Sequence, residues 1–332
     1  MLRVPYAELE SALERSLLAE GFSPDRAHRC AKLFAETTCD GVYTHGLARF
    51  PRFLATVRNG IVNIHAKPVR VSGIGGLERW DGGHGPGNLN AWAAMDRAMT
   101  LARTHGIGMV ALASTSHWMR GGSYGWQAAN EGLFAICWSN TLPNLPAWGT
   151  TTPVLGNNPL VLAIPRPGGP VVVDLAMSQF SYGTMTQYAK RGAQLPVPGG
   201  YDTAGELTTD PAAIEASQRP LPIGFWKGSG LAMTLDLMAA MLTGNPGTHA
   251  IDKDPLREYN ISQVFIAVDP SAVASPEELH QIAEGILYDL KQATPIDPAR
   301  PARYPGEQTL RLREENLRLG VPVDPEIWAG IQ

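Results

Sequence analysis

A chain of 332 residues, 44 % of them apolar, is long enough to bury an extended core or two lobes. Its net charge of −4, with the basic residues scattered along it, excludes a nucleic-acid stripe or a polybasic membrane patch and favours small-molecule partners. The three cysteines, Cys30, Cys39 and Cys137, are odd in number and lack C-x-x-C spacing, so neither a disulfide framework nor a zinc site is expected and no metal is assigned. The first ten residues lack the apolar core of a secretory signal and no apolar run approaches a membrane span, so the expectation is a cytoplasmic protein.

Leu9, Leu13 and Leu17 recur at four-residue steps and predict a helix over residues 6–20. Ser23-Pro-Asp25 reads as the cap of a second helix that runs to about Thr38. This hairpin delivers the chain into Gly41-Val-Tyr-Thr-His-Gly-Leu-Ala-Arg-Phe-Pro-Arg-Phe53, where His45 stands between small neighbours and Arg49 follows four residues on. An imidazole and a guanidinium at that spacing suit a small anionic substrate, one moving a proton and the other gripping a carboxylate. A histidine beside glycine in a loop is also a common structural residue.

Further on, a helix is predicted from about Asn88 to His105 and a short buried strand over Ile107–Ala113. The loop Ser114-Thr-Ser-His-Trp-Met-Arg-Gly-Gly-Ser-Tyr-Gly125 then places His117 and Arg120 at the strand's carboxyl end, where sheets commonly present ligand-binding loops. A helix after Gly122 and a strand over 133–138 follow, with Ser139 and Asn140 just beyond. Apolar, β-branched runs at 160–164, 171–173 and 261–268 are strand candidates. Residues 188–222 form a Gly- and Pro-rich excursion, of the kind that is functional or part of an interface. Helices are expected over 228–242, 276–291 and 307–319.

The predicted fold class is α/β of the mixed α+β kind: a non-Rossmann mixed sheet covered by helices, with a helical N-terminal lobe. Residues 1–120, completed by 305–332, are assigned to that lobe, which carries the His45 loop. Residues 121–304 are assigned to a cofactor-binding lobe with the 188–222 excursion. No dinucleotide fingerprint is present, because Gly106-Ile-Gly-Met-Val-Ala111 follows a helix and opens a strand, the reverse of the required order. Trp226-Lys-Gly-Ser-Gly230 is a better anion site: an ammonium group and small residues begin an apolar helix whose first amides would be free to cradle a phosphate. The alternative there is a helix start whose glycines serve close packing.

Joined together, Gly41-Val-Tyr-Thr-His-Gly46, Arg49-Phe-Pro-Arg-Phe53, the block from His117 to Ala129, Asn157-Asn-Pro-Leu160, Gln194-Leu-Pro-Val197, Trp226-Lys-Gly-Ser-Gly230 and Pro305-Gly-Glu307 resemble the type-2 malate/L-lactate dehydrogenase family across nearly the whole chain. The resemblance implies an NAD(P)H-dependent oxidoreductase that reduces the carbonyl of a small 2-oxo acid, a diketo sugar acid in the first place. It implies His45 and His117 as catalytic residues, with Arg49, Thr44 and Arg120 at the substrate. It implies a dinucleotide, NADH in the first place with NADP possible, held by Pro170, Val171, Val172, Val173, Asp174, Leu175 and Ala176, by Trp226 and Lys227, and by Gly306, Glu307 and Gln308. Ser139 and Asn140 are further candidates near the nicotinamide. A homodimer is implied as well. The competing readings are a malate-, lactate- or ureidoglycolate-type dehydrogenase, a cyclic imino-acid reductase, and a non-catalytic sugar-acid or nucleotide-binding protein.

Overall fold

A computed structural model describes residues 2–331. The chain opens with strand β1 (Leu2–Val4), helix α1 (Tyr6–Ala19) and helix α2 (Pro24–Cys39), and two single-turn 3-10 segments then lead into α3 (Phe50–Arg58). Leu9, Leu13 and Leu17 of α1 pack on Phe34 of α2 and on Phe50 and Phe53 of α3, all within a few per cent of full burial. Next come β2 (Val69–Ile74), β3 (Leu77–Asp81), α4 (Gly87–His105), β4 (Ile107–Thr115), α5 (Gly122–Asn130), β5 (Phe134–Ser139), β6 (Leu145–Pro146), β7 (Pro153–Leu155), β8 (Leu160–Ile164) and β9 (Val171–Leu175).

Helix α6 (Tyr182–Lys190) leads into the predicted excursion, which holds structure of its own: the hairpin strands β10 (Gly200–Tyr201) and β11 (Leu207–Thr208), and α7 (Pro211–Ser217). The chain continues through α8 (Trp226–Thr243), β12 (Ile261–Val268), α9 (Pro276–Gln292), α10 (Glu307–Leu319), β13 (Val321–Val323) and α11 (Pro325–Ala329). Strand β13 returns to pair with β1, and Val321, Val323 and Trp328 complete the core of the N-terminal helices.

Seven strands form one mixed sheet in the order β2-β3-β4-β12-β5-β8-β9, with β3 and β4 parallel and the other neighbours antiparallel. Both faces of its centre are covered. Val110, Cys137 and Phe265 meet α4 and α5 on one face, while Val264 and Trp138 meet Ala232, Leu235 and Ala239 of α8 on the other. That is why β12 is an almost unbroken apolar run rather than an alternating one. The sheet begins earlier than the expected boundary at residue 120, since β2, β3 and β4 already lie in it. Because β4 and β12 run antiparallel with Thr115 opposite Ile261, the loop after β4 and the loop before β12 leave the sheet at the same end. No helix of the described residues is long and apolar enough to cross a membrane.

Candidate active site

Helix α2 ends at Cys39, and the chain turns through two 3-10 segments, Tyr43–His45 and Leu47–Arg49. Gly46 between them is required by space. A Cβ there would sit 2.8 Å from the backbone nitrogen of Thr38, while the Thr38 hydroxyl accepts the Leu47 amide at 2.8 Å. The turn is thereby clamped to α2, and Arg49 is presented at the start of α3.

The second half of the site comes from the loop after β4. Met119, at the left-handed φ of 66°, points its amide at His117 Nδ1, 3.0 Å away. A non-glycine residue in that conformation is held there at a cost, and such strain gathers at functional loops. A backbone N–H can only donate, so Nδ1 accepts and the neutral ring carries its proton on Nε2. The His117 ring stacks on that of His45 with centroids 6.0 Å apart and planes 23° from parallel. His45 Nδ1 lies 3.0 Å from the Thr44 hydroxyl. Arg49 and His117 line one small cavity. Buried Glu258, from the loop before β12, faces Arg49 at 3.5 Å.

Burial, aided by Arg49 and Arg120, pushes the His45 imidazole down to about 4. Burial and then Arg49 hold His117 well below the ordinary histidine value. Both rings are therefore uncharged at neutral pH. Arg49 is lowered to about 10 by burial, with Glu258 opposing the shift, and so stays a cation. The arrangement offers a fixed Nε2–H donor, a second imidazole free to exchange a proton, and a guanidinium for an anion.

The structure corrects several expectations. Arg120 does not face the cavity: it is 5 % exposed and paired with Asp40, which also accepts Arg313 Nε at 2.6 Å. Asn140 is fully buried, its amide donating to Asp236 and its oxygen accepting from Ser262. Ser139 turns its hydroxyl to the Asn140 carbonyl. The Asp174 carboxylate accepts the Gly122 amide at 2.7 Å and so caps α5. The first amides of α8 are not free, since those of Lys227, Gly228 and Ser229 bond Gly224, Ile223 and Phe225. Gly228 serves packing, as a Cβ would lie 2.8 Å from Ile223 Cγ2, whereas Gly230 has nothing within 4 Å. Glu258 and Arg52, both lining the cavity, were not singled out by the sequence. Arg52 sits inside the motif that carries Arg49, and its spacing from that residue was the signal that could have found it.

The segments expected at the cofactor are neighbours. Strand β9 is the last of the sheet, and its Val172 amide points outward to the Pro305 carbonyl at 3.0 Å. By strand alternation the Asp174 backbone groups face the same open edge. Beyond β9 the Met177 carbonyl accepts the Ile223 amide at 2.8 Å, which leads to exposed Trp226 and Lys227 at the start of α8. Residues 170–176 thus join the 306–308 turn at one end to the Trp226-Lys227 corner at the other. An open backbone edge and an unburied ammonium fit a long polar, anionic group. Glu307 and Gln308 spend their side chains on Lys291 and Arg303.

The fold is a non-Rossmann mixed sheet with an arginine and one imidazole at a cavity and a second imidazole stacked on the first. The chain belongs to the malate/L-lactate dehydrogenase family, whose model matches residues 4–332. It is 42 % identical over 332 residues to a 2,3-diketo-L-gulonate reductase of Citrobacter koseri, covering all of this chain and 99 % of the relative. Among solved structures it superposes on the delta1-piperideine-2-carboxylate reductase of Pseudomonas syringae with a TM-score of 0.89 at 28 % identity, over 100 % of this chain and 99 % of that one. The malate dehydrogenase of Entamoeba histolytica shares the fold at a TM-score of 0.93 and 21 % identity, over 99 % and 96 % of the two chains. The protein is an enzyme of this nicotinamide-dependent family, which sets aside the non-catalytic alternative.

Proposed function

We propose that the protein uses NADH to reduce the keto group of a small hydroxylated 2-oxo acid, 2,3-diketo-L-gulonate in the first place. The observation that carries this reading is the joining of Arg49 and His117 in one cavity, with His45 stacked behind. Arg49 binds the carboxylate, His117 donates its Nε2–H to the carbonyl oxygen, and His45, which takes up a proton from solvent once the bound carboxylate offsets the Arg49 charge, passes it on as that oxygen becomes an alkoxide. Strand β9 and Lys227 would hold the dinucleotide, which when bound would supply the hydride. Thr44 fixes the His45 ring. A homodimer would cover the exposed apolar residues Met233, Leu237 and Met241 on α8.

The proton arithmetic also supports a second reading, oxidation of a malate-, lactate- or ureidoglycolate-type hydroxy acid, because a histidine held near 4 is a ready base at neutral pH. The two are separated by following the near-ultraviolet absorbance of the reduced nicotinamide. NADH or NADPH is supplied with diketogulonate, pyruvate, oxaloacetate or a cyclic imino acid, and NAD⁺ with the hydroxy acids. Turnover best with diketogulonate and NADH is expected. Faster oxidation of malate or lactate at matched concentrations would sink the reductive reading.

A further inference from the structure

The face that α3 turns to the cavity is built at helical spacing. Arg49, Arg52, Phe53 and Thr56, at i, i+3, i+4 and i+7, all line it. At 1.5 Å of rise per residue, Arg49 and Thr56 stand about 10 Å apart along the axis. The cavity therefore runs along a helix flank, and its far portion lies beyond the reach of the group that would grip a carboxylate.

The two arginines differ in state. Arg49 is opposed by buried Glu258, so its charge is already part-balanced. Arg52 is exposed and forms no ion pair among the described residues. Thr56 donates its hydroxyl to the Phe53 carbonyl at 2.7 Å, which leaves its oxygen lone pairs to accept from the cavity. Phe53 between them is 1 % exposed and belongs to the core, so it fixes the wall and adds no polar group. Beyond Arg49 the wall therefore presents a donor fork and then an acceptor, one turn apart.

We propose that Arg52 and Thr56 form a tail subsite for the hydroxylated end of the substrate, with Arg52 as the residue that selects extended polyhydroxylated acids over short ones. The inference rests on the function proposed above and names its substrate class. A hydroxyl group both donates and accepts, so neighbouring hydroxyls match a donor followed by an acceptor. A second carboxylate only accepts, and would meet the Thr56 oxygen unfavourably. Bonds of about 1.5 Å let a six-carbon acid span roughly 6 Å, and a hydrogen bond of about 3 Å at each end carries it from Arg49 past the Arg52 turn to Thr56. A three-carbon acid ends short of it.

The test is the ratio of kcat/KM for 2,3-diketo-L-gulonate to that for pyruvate in the wild type, Arg52→Leu and Thr56→Val, with melting curves and binding of both acids by calorimetry. Removing a cation weakens every anion somewhat, so the ratio decides. It should fall by roughly 10- to 100-fold in Arg52→Leu, mostly through KM, and by a smaller factor in Thr56→Val. Equal losses for both acids would place the carboxylate on Arg52 and overturn the subsite, as would an unchanged ratio in well-folded Arg52→Leu. If the wild type binds diketogulonate without turning it over, the reductase reading fails, and the same ratio of affinities still decides the subsite.

Discussion

At the scale of single residues, the site is governed by how an arginine and two imidazoles share one desolvated space. Arg49 lowers both histidines, and a bound carboxylate would offset that field and leave His45 protonated more of the time when substrate is present. Replacing Arg49 by Ala should cut kcat/KM for a carboxylate substrate by about two to three powers of ten, since a charge-assisted pair and the substrate's orientation are lost together. Lysine should rescue in part, lacking the planar fork. The sign of the pH effect follows from the same contact: without Arg49 the histidine pKa rises, so the limb on which the kcat/KM of reduction falls as His45 loses its proton should move to higher pH. A limb that stayed in place would show that Arg49 does not act on the titrating ring. His45, Arg49 and His117 were legible because small or polar neighbours surround them in short motifs. Arg120 was misread because its partner Asp40 lies 80 positions away, and Glu258 was invisible because it meets Arg49 across 209.

At the scale of elements, the start of α8 is the clearest case in which pattern and structure part. A Lys-Gly-Ser-Gly helix opening suggests free amides, yet a tight turn centred on Gly224 consumes those of Lys227, Gly228 and Ser229. Only the Lys227 charge is left to attract a phosphate there. Lys227→Glu should weaken dinucleotide binding by on the order of 10- to 100-fold in a fluorescence titration while barely moving the melting curve. Gly228→Val should do the reverse, since its Cβ would meet Ile223, and Gly230→Ala should melt like the wild type. Wild-type affinity in Lys227→Glu would remove this corner from the cofactor site. The long helices and buried strands were readable from their periods. Helix α3 was not among the predicted elements, although Pro51 stands in its first turn, where a proline gives up no hydrogen bond. Strand β2 was not among the predicted elements; Val69-Arg-Val-Ser72 alternates, but every residue of the strand is exposed, so no buried face goes with that pattern.

At the scale of the whole molecule, one buried carboxylate ties three distant parts of the chain. Asp40 closes α2 and is 2 % exposed. It takes Arg120 from the loop after β4 and two bonds from Arg313 of α10, whose guanidinium also lies 4.7 Å over the Trp126 ring. Neutralising one member of such a cluster strands the others. Asp40→Asn should therefore lower stability by about 3–5 kcal/mol, read as a drop in the thermal midpoint. A midpoint within about a degree of wild type would mean that the arginines are balanced by other groups.

That cluster also orders events during synthesis. Asp40 emerges early, five positions before His45, while Arg313 follows 273 residues later. Until it arrives, Asp40 and Arg120 are one pair short of their final arrangement, and the α2 end that aims His45 lacks its outer brace. The N-terminal helices wait likewise for Val321, Val323 and Trp328 to close their core. A nascent chain can thus assemble much of the sheet as it is made, while the corner that holds His45 gains its outer brace only once α10 and the segments after it dock.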